Sequence, residues 1–364
     1  MEIKKIIIVG GGSAGWMTAS TLIKAFPKKI ITVIESPDVP VIGVGESTLA
    51  TIKMWTNFLG IEDKDFMPAC DASYKLGIMF TDFYKKGTQF CYPFGKPNTS
   101  GCTSGLNDWW FKKSVYPKTP NSNYAESFYP QMSMINQNKF FNDSDEKISF
   151  NKGTDSSYHF NAVKFGQWLK DNYAIPRGVK YLKEHIHTIK QNNNGIVSLN
   201  NKHKADLYID CTGFKSLLLS ETLKEPFESY SDLLPNDSAW VAQKPFKNKK
   251  KELVNYTNCT ALENGWVWNV PLWSRIGTGY VYSSDFVSDE DALKQFQKHL
   301  GTKELEFRNI KSRVGIHKRL WVKNVVAIGL SASFIEPLEG NGLFSVHEFL
   351  RILLRNMKRG AVSQ

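Results

Sequence analysis

Lys75 is the residue whose surroundings most strongly suggest chemistry. It lies in a segment whose large side chains fall at alternate positions, as in a β-strand, namely Tyr74, Leu76, Ile78 and Phe80. Lys75 therefore projects to the opposite face. A strand lysine is usually solvated, but an ammonium enclosed in a pocket is a compact hydrogen-bond donor whose pKa depends on its environment. The pattern leaves a surface lysine and a catalytic lysine as alternatives.

Glu339 and two tryptophans are further candidates. Glu339 precedes a helix predicted from residue 341 to about 358, where the positive end of the helix dipole stabilises a carboxylate. Trp266 and Trp268 are two residues apart on a predicted strand, so their indoles share one face. Pro271 limits how far that strand extends. Taken alone, a helix-terminal acid and two aromatic residues in a sheet core explain these features equally well.

The N-terminal residues predict a dinucleotide-binding unit. A strand at residues 5–9, a helix at 13–25 and a strand at 30–34 form a βαβ opening. The first connection is a GxGxxG pattern that contains Gly10, Gly12, Ser13, Ala14 and Gly15. Its glycines allow a tight turn, close approach of a pyrophosphate and close packing of helix on strand. Glu35 stands where an acid accepts ribose hydroxyls, although this pattern does not separate FAD from NAD.

Later segments extend this unit and add a second region. Strands are predicted at residues 204–210 and 324–328, leading to Gly213 and Gly329. Other predicted elements are a helix that begins at residues 43–47 and ends at Gly60, a loop-rich segment at 96–151, a helix at 162–170 and antiparallel strands at 236–285. A loop-rich segment of that length is typical of a lid or substrate wall.

We therefore predict one α/β unit over residues 1–364. Its Rossmann-like module is assigned to residues 1–60, 204–220 and 322–358. An interleaved, mainly antiparallel β substrate region is assigned to about 70–200 and 230–320.

Composition favours a globular protein and leaves its partners open. The chain is 41% hydrophobic and 13% aromatic, which favours a large core over disorder. Its net charge of +11 is compatible with nucleic-acid binding, but the basic run around Lys249 is predicted to be a solvated hairpin tip, and basic charge also suits flavin phosphates and halide. Five cysteines without a CxxC pair predict reduced thiols in a cytoplasmic protein and no metal site. The apolar run at residues 6–9 is too short for a signal peptide or a membrane span.

Four segments together resemble the flavin-dependent halogenases of the tryptophan-halogenase type. The stretch from Trp266 to Pro271 resembles their WxWxIP motif, with Val270 in place of isoleucine. Residues 43–48 resemble the GVGExT segment, residues 73–78 the strand bearing the family's essential lysine, and residues 334–342 the F-[IV]-x-P-L-E-S-T-G segment. The resemblance extends from residue 1 to about 358 and implies a Rossmann-like FAD-binding fold.

The resemblance implies a role for each matching residue. The implied catalytic residues are Lys75 and Glu339, and those that hold the substrate are Tyr92 and Phe94, with Tyr92 where the family has histidine. The implied channel residues are Trp266, Trp268 and Pro271. The implied halide site is Asn341 and Gly342, and Gly340-Asn341 replaces the family's Ser-Thr. The implied FAD contacts are the GxGxxG residues with Glu35, Gly45, Ser47, Gly213, Gly329 and Pro337.

The resemblance further implies a halogenase that takes FADH₂ from a separate NAD(P)H flavin reductase. With dioxygen and halide it would make hypohalous acid, which halogenates an indole- or phenol-type ring. The chain stops at Gln364, where tryptophan halogenases continue into an extension over free tryptophan, so we expect an open pocket. With Gly340-Asn341, this favours bromide or iodide, because a loose site dehydrates chloride less easily. An FAD-dependent aromatic monooxygenase and a basic, FAD-binding nucleic-acid partner stay open as alternatives.

Overall fold

The computed structural model describes residues 2–38, 45–98, 105–121, 123–140 and 150–358. Within these residues no helix is long and apolar enough to cross a membrane. The α-helices are Ser13–Ala25, Ile52–Leu59, Asp63–Phe66, Gly105–Val115, Asn123–Phe128, Gln131–Gln137, Ala162–Trp168, Lys249–Glu252, Asp289–Leu300 and Asn341–Lys358. Single π-helical or 3₁₀ segments are Leu169–Ala174, Ile175–Arg177, Gly213–Lys215, Leu217–Thr222, Gly329–Ser331 and Pro337–Glu339.

A six-stranded sheet, here the parallel sheet, is built on the N-terminal βαβ unit. Its strands in spatial order are Trp321–Val322, Val325–Ala327, Leu207–Asp210, Lys5–Val9, Ile30–Glu35 and Lys180–Lys183. All neighbouring pairs are parallel except the first, which is antiparallel. The predicted strands at 5–9 and 30–34 and the helix at 13–25 are confirmed, and the two later strands join them as expected. Residues 162–183, assigned from the sequence to the substrate region, instead pack with this sheet.

A seven-stranded sheet, here the mixed sheet, carries the double-tryptophan motif. Its strands in spatial order are Arg308–Lys311, Ser238–Lys244, Ile276–Tyr282, Gly265–Pro271, Tyr256–Leu262, Gly77–Thr81 and Gln89–Pro93. The antiparallel strands predicted at 236–285 are confirmed. The hairpin tip predicted around Lys249 is wrong, because the flanking strands pair with other strands and a short exposed helix connects them.

A three-stranded sheet, here the small sheet, lies beside the mixed sheet and corrects two predictions. Its strands are Glu46–Ser47, Ser157–Phe160 and Ser73–Lys75. The helix predicted to begin at 43–47 starts only at Ile52, because Glu46 and Ser47 pair with the strand at 157–160; residues 43–44 lie outside the described part of the chain. The strand predicted through 74–80 is two strands, which separate at Leu76 and enter different sheets.

The segment 96–151 is also different from its prediction. Its described parts contain three helices, of which Gln131–Gln137 buries Met132, Met134 and Ile135 against Leu76. The segment was predicted to be loop-rich because its helices are short and its aromatic and polar residues show no regular amphipathic spacing. Two further sheets complete the described strands. One pairs Gly195–Leu199 with Ile189–Asn192, and the other joins Phe227–Ser229, Gly315–His317 and Ser333–Phe334.

The three glycines of the GxGxxG loop occupy different environments. Gly10 has φ +112°, and a β-carbon there would lie 2.2 Å from the carbonyl oxygen of Cys211. A β-carbon at Gly15 would lie 2.0 Å from the carbonyl oxygen of Gly10, so helix and strand touch through backbone atoms. Gly12 faces open space, with no atom within 4 Å of its β-carbon position. Two glycines therefore close the turn, and one keeps space in front of the helix.

This difference predicts that the same substitution destabilises the protein strongly at one glycine and little at another. Gly15→Ala should lower the free energy of unfolding by about 2 kcal/mol or more, because a rigid backbone oxygen occupies the methyl position. Gly12→Ala in the flavin-free protein should change it by less than about 1 kcal/mol. Urea unfolding of the two variants tests this. Equal losses of stability would show that the loop does not make the close backbone contact.

Candidate active site

The side chain of Lys75 is buried where the small sheet meets the mixed sheet. None of its surface is exposed, so Lys75 is not a surface lysine. Its Nζ donates to Ser47 Oγ at 2.7 Å and to the carbonyl oxygen of Thr48 at 3.1 Å. The same nitrogen lies 4.8 Å from the centre of the Phe94 ring. Two of the three ammonium N–H groups therefore have neutral oxygen acceptors, and the nitrogen also faces an aromatic ring.

Burial lowers the pKa of Lys75 from 10.5 to about 7. The negative charges that Cys259 and Glu339 can carry act in the opposite direction, and desolvation outweighs them. The partners of the ammonium at hydrogen-bond distance are uncharged, so none offsets the loss of water strongly. Both the ammonium and the free amine are therefore populated near neutral pH.

Glu339 and Cys259 approach this lysine from two other elements. Glu339 ends the single turn Pro337–Glu339 and is solvent-exposed, while Cys259 is fully buried on the mixed sheet. Cys259 Sγ lies 3.8 Å from the carbonyl oxygen of Leu338, which joins the turn to the sheet. Burial raises the pKa of the Cys259 thiol to about 12. The structure thus brings the two predicted catalytic residues to one site.

Gly340 accounts for how closely this turn approaches Lys75. It has φ +81°, and a β-carbon there would lie 2.5 Å from the carbonyl oxygen of Ser47. Ser47 is the residue whose hydroxyl accepts from Lys75. A side chain at position 340 would push the turn away from the small sheet. Glycine at position 340 therefore fits both the left-handed backbone and the close contact with Ser47.

A row of hydroxyl groups behind Lys75 was not predicted from the sequence. Ser47 Oγ lies 2.8 Å from Thr257 Oγ1, which lies 2.9 Å from His159 Nε2. On the other side of the imidazole, Nδ1 lies 3.3 Å from Ser73 Oγ, and Ser73 Oγ donates to the carbonyl oxygen of Pro271 at 2.6 Å. These residues are scattered along the chain in four strands, so spacing along the sequence carries no signal for them. Ser47, predicted as an FAD contact, has its hydroxyl engaged in this row.

The two tryptophans share one face of the strand, as predicted, and each ring is held by a different contact. Their ring centres are 6.0 Å apart, and Trp266 is buried. The Trp268 ring lies over Gly279, where a β-carbon would meet it at 2.2 Å. Trp266 Nε1 donates to Glu336 Oε1, which also accepts from Asn236 Nδ2 at 2.6 Å. Glu336 was missed because it occupies the variable position of the Pro-Leu-Glu segment.

Tyr92 lies on the strand Gln89–Pro93, and Phe94 directly follows that strand, where its backbone N–H donates to the carbonyl oxygen of Leu76 at 2.7 Å. Phe94 is buried under the ammonium, whereas Tyr92 is 49% exposed. Their rings meet edge to face with centres 6.3 Å apart. Of the predicted substrate contacts, Phe94 is therefore part of the lysine site and Tyr92 is on its accessible side. Pro271 is the last residue of the tryptophan strand, and its carbonyl is engaged by Ser73.

The glycine loop fits an anionic dinucleotide. Gly12 leaves space at the N-terminus of helix Ser13–Ala25, where backbone amides attract a pyrophosphate. Ser13 Oγ donates to the carbonyl oxygen of Ala162 at 2.9 Å, which positions the helix start. Glu35 ends the next strand, with Lys170 Nζ at 3.9 Å. This donor and acceptor set matches the requirements of FAD.

The later predicted cofactor residues reach the loop to different extents. Gly329 has φ +76° and packs on Ala14, because a β-carbon would lie 2.9 Å from the β-carbon of Ala14. Gly213, with φ +67°, starts a turn and has open space at its β-carbon position. Gly45 instead packs against Leu272, which follows the tryptophan strand of the mixed sheet. A β-carbon at Gly45 would lie 3.3 Å from Cδ1 of Leu272. Pro337 starts the turn that carries Glu339.

Asn341 and Gly342 start the 18-residue helix Asn341–Lys358, as predicted. A β-carbon at Gly342 would meet no atom within 4 Å, so the first-turn backbone is accessible there. Unpaired amides of a long helix are the groups that bind an anion. This position directly follows the turn of Glu339.

The lowered pKa of Lys75 predicts how stability depends on pH. Between about pH 7 and 10.5 the unfolded chain keeps a proton on Lys75 that the folded protein has released. The free energy of unfolding should therefore rise with pH in this window, by at most about 1.4 kcal/mol per pH unit, relative to Lys75→Met. Urea unfolding of both proteins across the window measures this difference. A difference that stays constant with pH would contradict the lowered pKa.

The chain matches a family model described as tryptophan halogenase over residues 5–364. It is 35% identical to tryptophan 6-halogenase SttH of Streptomyces toxytricini over 98% of this chain and 72% of that protein. The fold matches the apo structure of VirX1 with a TM-score of 0.93 and 42% identity, covering 98% and 71% of the two chains. It also matches BrvH, a flavin-dependent halogenase from Brevundimonas sp. BAL3, with a TM-score of 0.85 and 32% identity, covering 97% and 71%.

The family match spans nearly the whole chain, and it includes both the glycine loop and the lysine site. The chain therefore belongs to the tryptophan halogenase family and is a flavin-dependent enzyme with a Rossmann-like FAD-binding fold.

Proposed function

We propose that this enzyme makes hypohalous acid and uses Lys75 to halogenate an electron-rich aromatic ring of the indole or phenol type. The observation that carries the proposal is the buried Lys75 ammonium, which has two N–H groups engaged by neutral oxygens and faces Phe94. Burying a charge costs free energy, so an apolar side chain at this position would stabilise the fold at least as well as lysine. The presence of a buried lysine therefore favours a chemical role over a structural one.

The cofactor residues are proposed as two groups. Gly10, Gly12 and Gly15 with the start of helix Ser13–Ala25 would hold the FAD pyrophosphate, and Glu35 would accept the ribose hydroxyls. When bound in reduced form, FAD supplies with dioxygen and halide the oxidising power that forms hypohalous acid. A separate NAD(P)H flavin reductase would provide the reduced flavin.

Lys75 would act at the substrate end of the channel formed by Trp266, Trp268 and Pro271. Its remaining N–H donates to the oxygen of hypohalous acid, which makes the halogen more electrophilic. As the arene carbon attacks the halogen, the oxygen–halogen bond breaks and that N–H protonates the departing hydroxide to water. Phe94 and Tyr92 would hold the substrate ring between aromatic faces.

Glu339 would act on the cationic ring that this attack leaves. Its carboxylate stabilises the developing positive charge and accepts the proton from the substituted carbon. Its exposure and its electrostatic effect on Lys75 support this role. Glu336, three residues earlier, is already engaged by Trp266 and Asn236 and is not available for it.

The proposed function predicts a separation of two activities. Lys75→Ala and Glu339→Gln should each lower ring halogenation by at least about 100-fold while FAD affinity and hydrogen-peroxide release in the absence of halide stay near wild type. Lys75→Arg should also fail, because a planar guanidinium does not replace a compact ammonium. Product mass from an indole with bromide and reduced FAD gives the rate. Near wild-type halogenation by Lys75→Ala would refute the assignment.

The halide preference is proposed from the start of helix Asn341–Lys358. Gly340-Asn341 removes the hydroxyl side chains that the family's Ser-Thr would place beside the backbone amides. A site with fewer hydroxyl donors compensates poorly for the dehydration of chloride. Larger anions are more weakly hydrated, so they need less compensation. Bromide or iodide should therefore be favoured.

Equimolar competition between chloride, bromide and iodide on a simple indole tests this preference. Brominated or iodinated product should exceed chlorinated product, and Asn341→Thr should raise the chlorinated share. Asn341→Thr restores the family's side chain without changing the left-handed Gly340. A predominantly chlorinated product from the wild-type enzyme would reverse the proposed order.

A further inference from the structure

Lys170 lies beside the proposed FAD site, and the proposed function gives it no role. It follows helix Ala162–Trp168, which packs with the parallel sheet. Its Nζ lies 3.9 Å from Oε2 of Glu35, the acid proposed to bind the ribose of FAD. The side chain of Lys170 is 15% exposed and that of Glu35 is 26% exposed, so water screens this pair only in part.

Two aromatic rings hold the Lys170 ammonium. Its Nζ lies 3.7 Å from the centre of the Tyr181 ring and 5.8 Å from the centre of the Trp16 ring. Trp16 is on the helix that follows the glycine loop, and Tyr181 is on the strand that pairs with the strand of Glu35. Attraction between a cation and the faces of aromatic rings fixes the ammonium among these elements. Lys170 is therefore positioned by the same elements that form the glycine loop and its acid.

A π-helical turn brings Lys170 to this place. Leu169–Ala174 continues helix Ala162–Trp168 with the wider π-helical spacing, and Lys170 is its second residue. Leu169 and Tyr173 of the same turn are buried, so apolar side chains anchor it. Turns of this kind are rare, and they are frequent at functional sites. The local backbone thus agrees with a role for Lys170 beyond that of a surface charge.

Glu35 lies directly against the glycine loop. A β-carbon at Gly11 would lie 2.3 Å from Cδ of Glu35, so the carboxyl group occupies the space beside a residue without a side chain. The hydroxyl group of Tyr181 interacts with the same carboxylate. Burial, together with this carboxylate, raises the pKa of Tyr181 to about 12. Gly11, Tyr181 and Lys170 therefore surround Glu35 on different sides.

The distance between Lys170 and Glu35 leaves the carboxylate able to accept hydrogen bonds. A separation of 3.9 Å is longer than a hydrogen bond, so Lys170 attracts the carboxylate without occupying its lone pairs. An ionised carboxylate has about four acceptor positions, and a ribose diol offers two hydroxyl donors. Such an ion pair favours one rotamer of a flexible acid and keeps its acceptors free.

We propose that Lys170 is a positioning residue of the cofactor site, which holds the Glu35 carboxylate against Gly11 so that it accepts the hydroxyls of the adenosine ribose. This role rests on the proposed function, since it takes Glu35 as the residue that binds the ribose. It also assigns a residue outside the glycine loop and its acid to recognition of the adenosine half of FAD. A salt bridge that only joined the helix to the sheet would not depend on the ribose hydroxyls.

Displacement of bound FAD by two nucleotides, followed by flavin fluorescence, tests this role. ADP has the ribose diol, whereas 2′,3′-dideoxy-ADP lacks it. Lys170→Met should lower the affinity for ADP by about fivefold and the affinity for the dideoxy nucleotide by less than about twofold, because only ADP uses the oriented carboxylate. Lys170→Arg keeps a cation that stacks on aromatic rings and should stay within about twofold of wild type. Lys164→Met removes an exposed lysine of the preceding helix and is the matched control.

A double variant tests whether Lys170 acts through Glu35. Glu35→Gln removes the charge that Lys170 attracts, and it should reduce the preference for ADP over the dideoxy nucleotide. In the Glu35→Gln background, Lys170→Met should change the affinity for ADP by less than about twofold. A loss as large as in the wild-type background would mean that Lys170 acts without Glu35 and would overturn the positioning role.

The same titrations separate failure of this role from failure of the proposed function. If Glu35→Gln reduces the preference for ADP and Lys170→Met leaves it unchanged, only the role of Lys170 is refuted; equal losses for the two nucleotides would refute it as well. If the wild-type protein binds both nucleotides equally, Glu35 does not bind the ribose, and both assignments fall. Neither result bears on Lys75, which is tested by halogenation. Should Lys170→Met not fold, Lys170→Gln removes the same charge and carries the test.

Discussion

Removing the Lys75 ammonium from water is the constraint on which the rest of the site depends. A buried ammonium loses several kcal/mol of hydration, and neutral hydroxyl and carbonyl acceptors recover only part of it. The pKa of Lys75 is therefore lowered to about 7, since neutral acceptors compensate for the lost hydration less well than a carboxylate would. The two acceptors come from Ser47, whose strand pairs with that of His159, and from Thr48, and Gly340 lets the turn of Glu339 pack closely on Ser47. These contacts come from three separate parts of the chain, so the lysine environment requires the sheets to assemble first.

The turn Pro337–Glu339 gives two nearby glutamates different environments. Glu336 accepts hydrogen bonds from Trp266 and Asn236, so its carboxylate holds the Trp266 indole in place. Glu339 follows the proline by two residues and is exposed, so its carboxylate stays available beside Lys75. The sequence shows only two acids three positions apart, and the indole nitrogen of Trp266 distinguishes them. The short turn thus connects Trp266 to the lysine site, with one glutamate bound to the indole and the other available beside Lys75.

The parts that the sequence predicted are those whose signals are local. The βαβ unit and helix Asn341–Lys358 follow from strand runs, glycines and apolar spacing, and the structure confirms their bounds to within a residue or two. The break at Leu76 was missed because alternation continues through it, and only pairing with residues 157 and 93 shows that Lys75 and Gly77 enter different sheets. The row from Ser47 through Thr257 to His159 has no sequence signal, since three strands supply one member each. Single polar residues become a network only through long-range strand register.

The walls of the proposed channel contain groups that an oxidising halogen species attacks. Cys259 lies opposite Trp268 in the strand register, and the two tryptophans are themselves electron-rich rings. Burial raises the pKa of Cys259 to about 12, which keeps it as a thiol and removes the more reactive thiolate. The indoles have no comparable protection by protonation. Under the proposed function, selectivity for the substrate must therefore come from position. A hypohalous acid held by Lys75 beside Phe94 reacts with the ring placed there, whereas a freely diffusing one would consume its own channel.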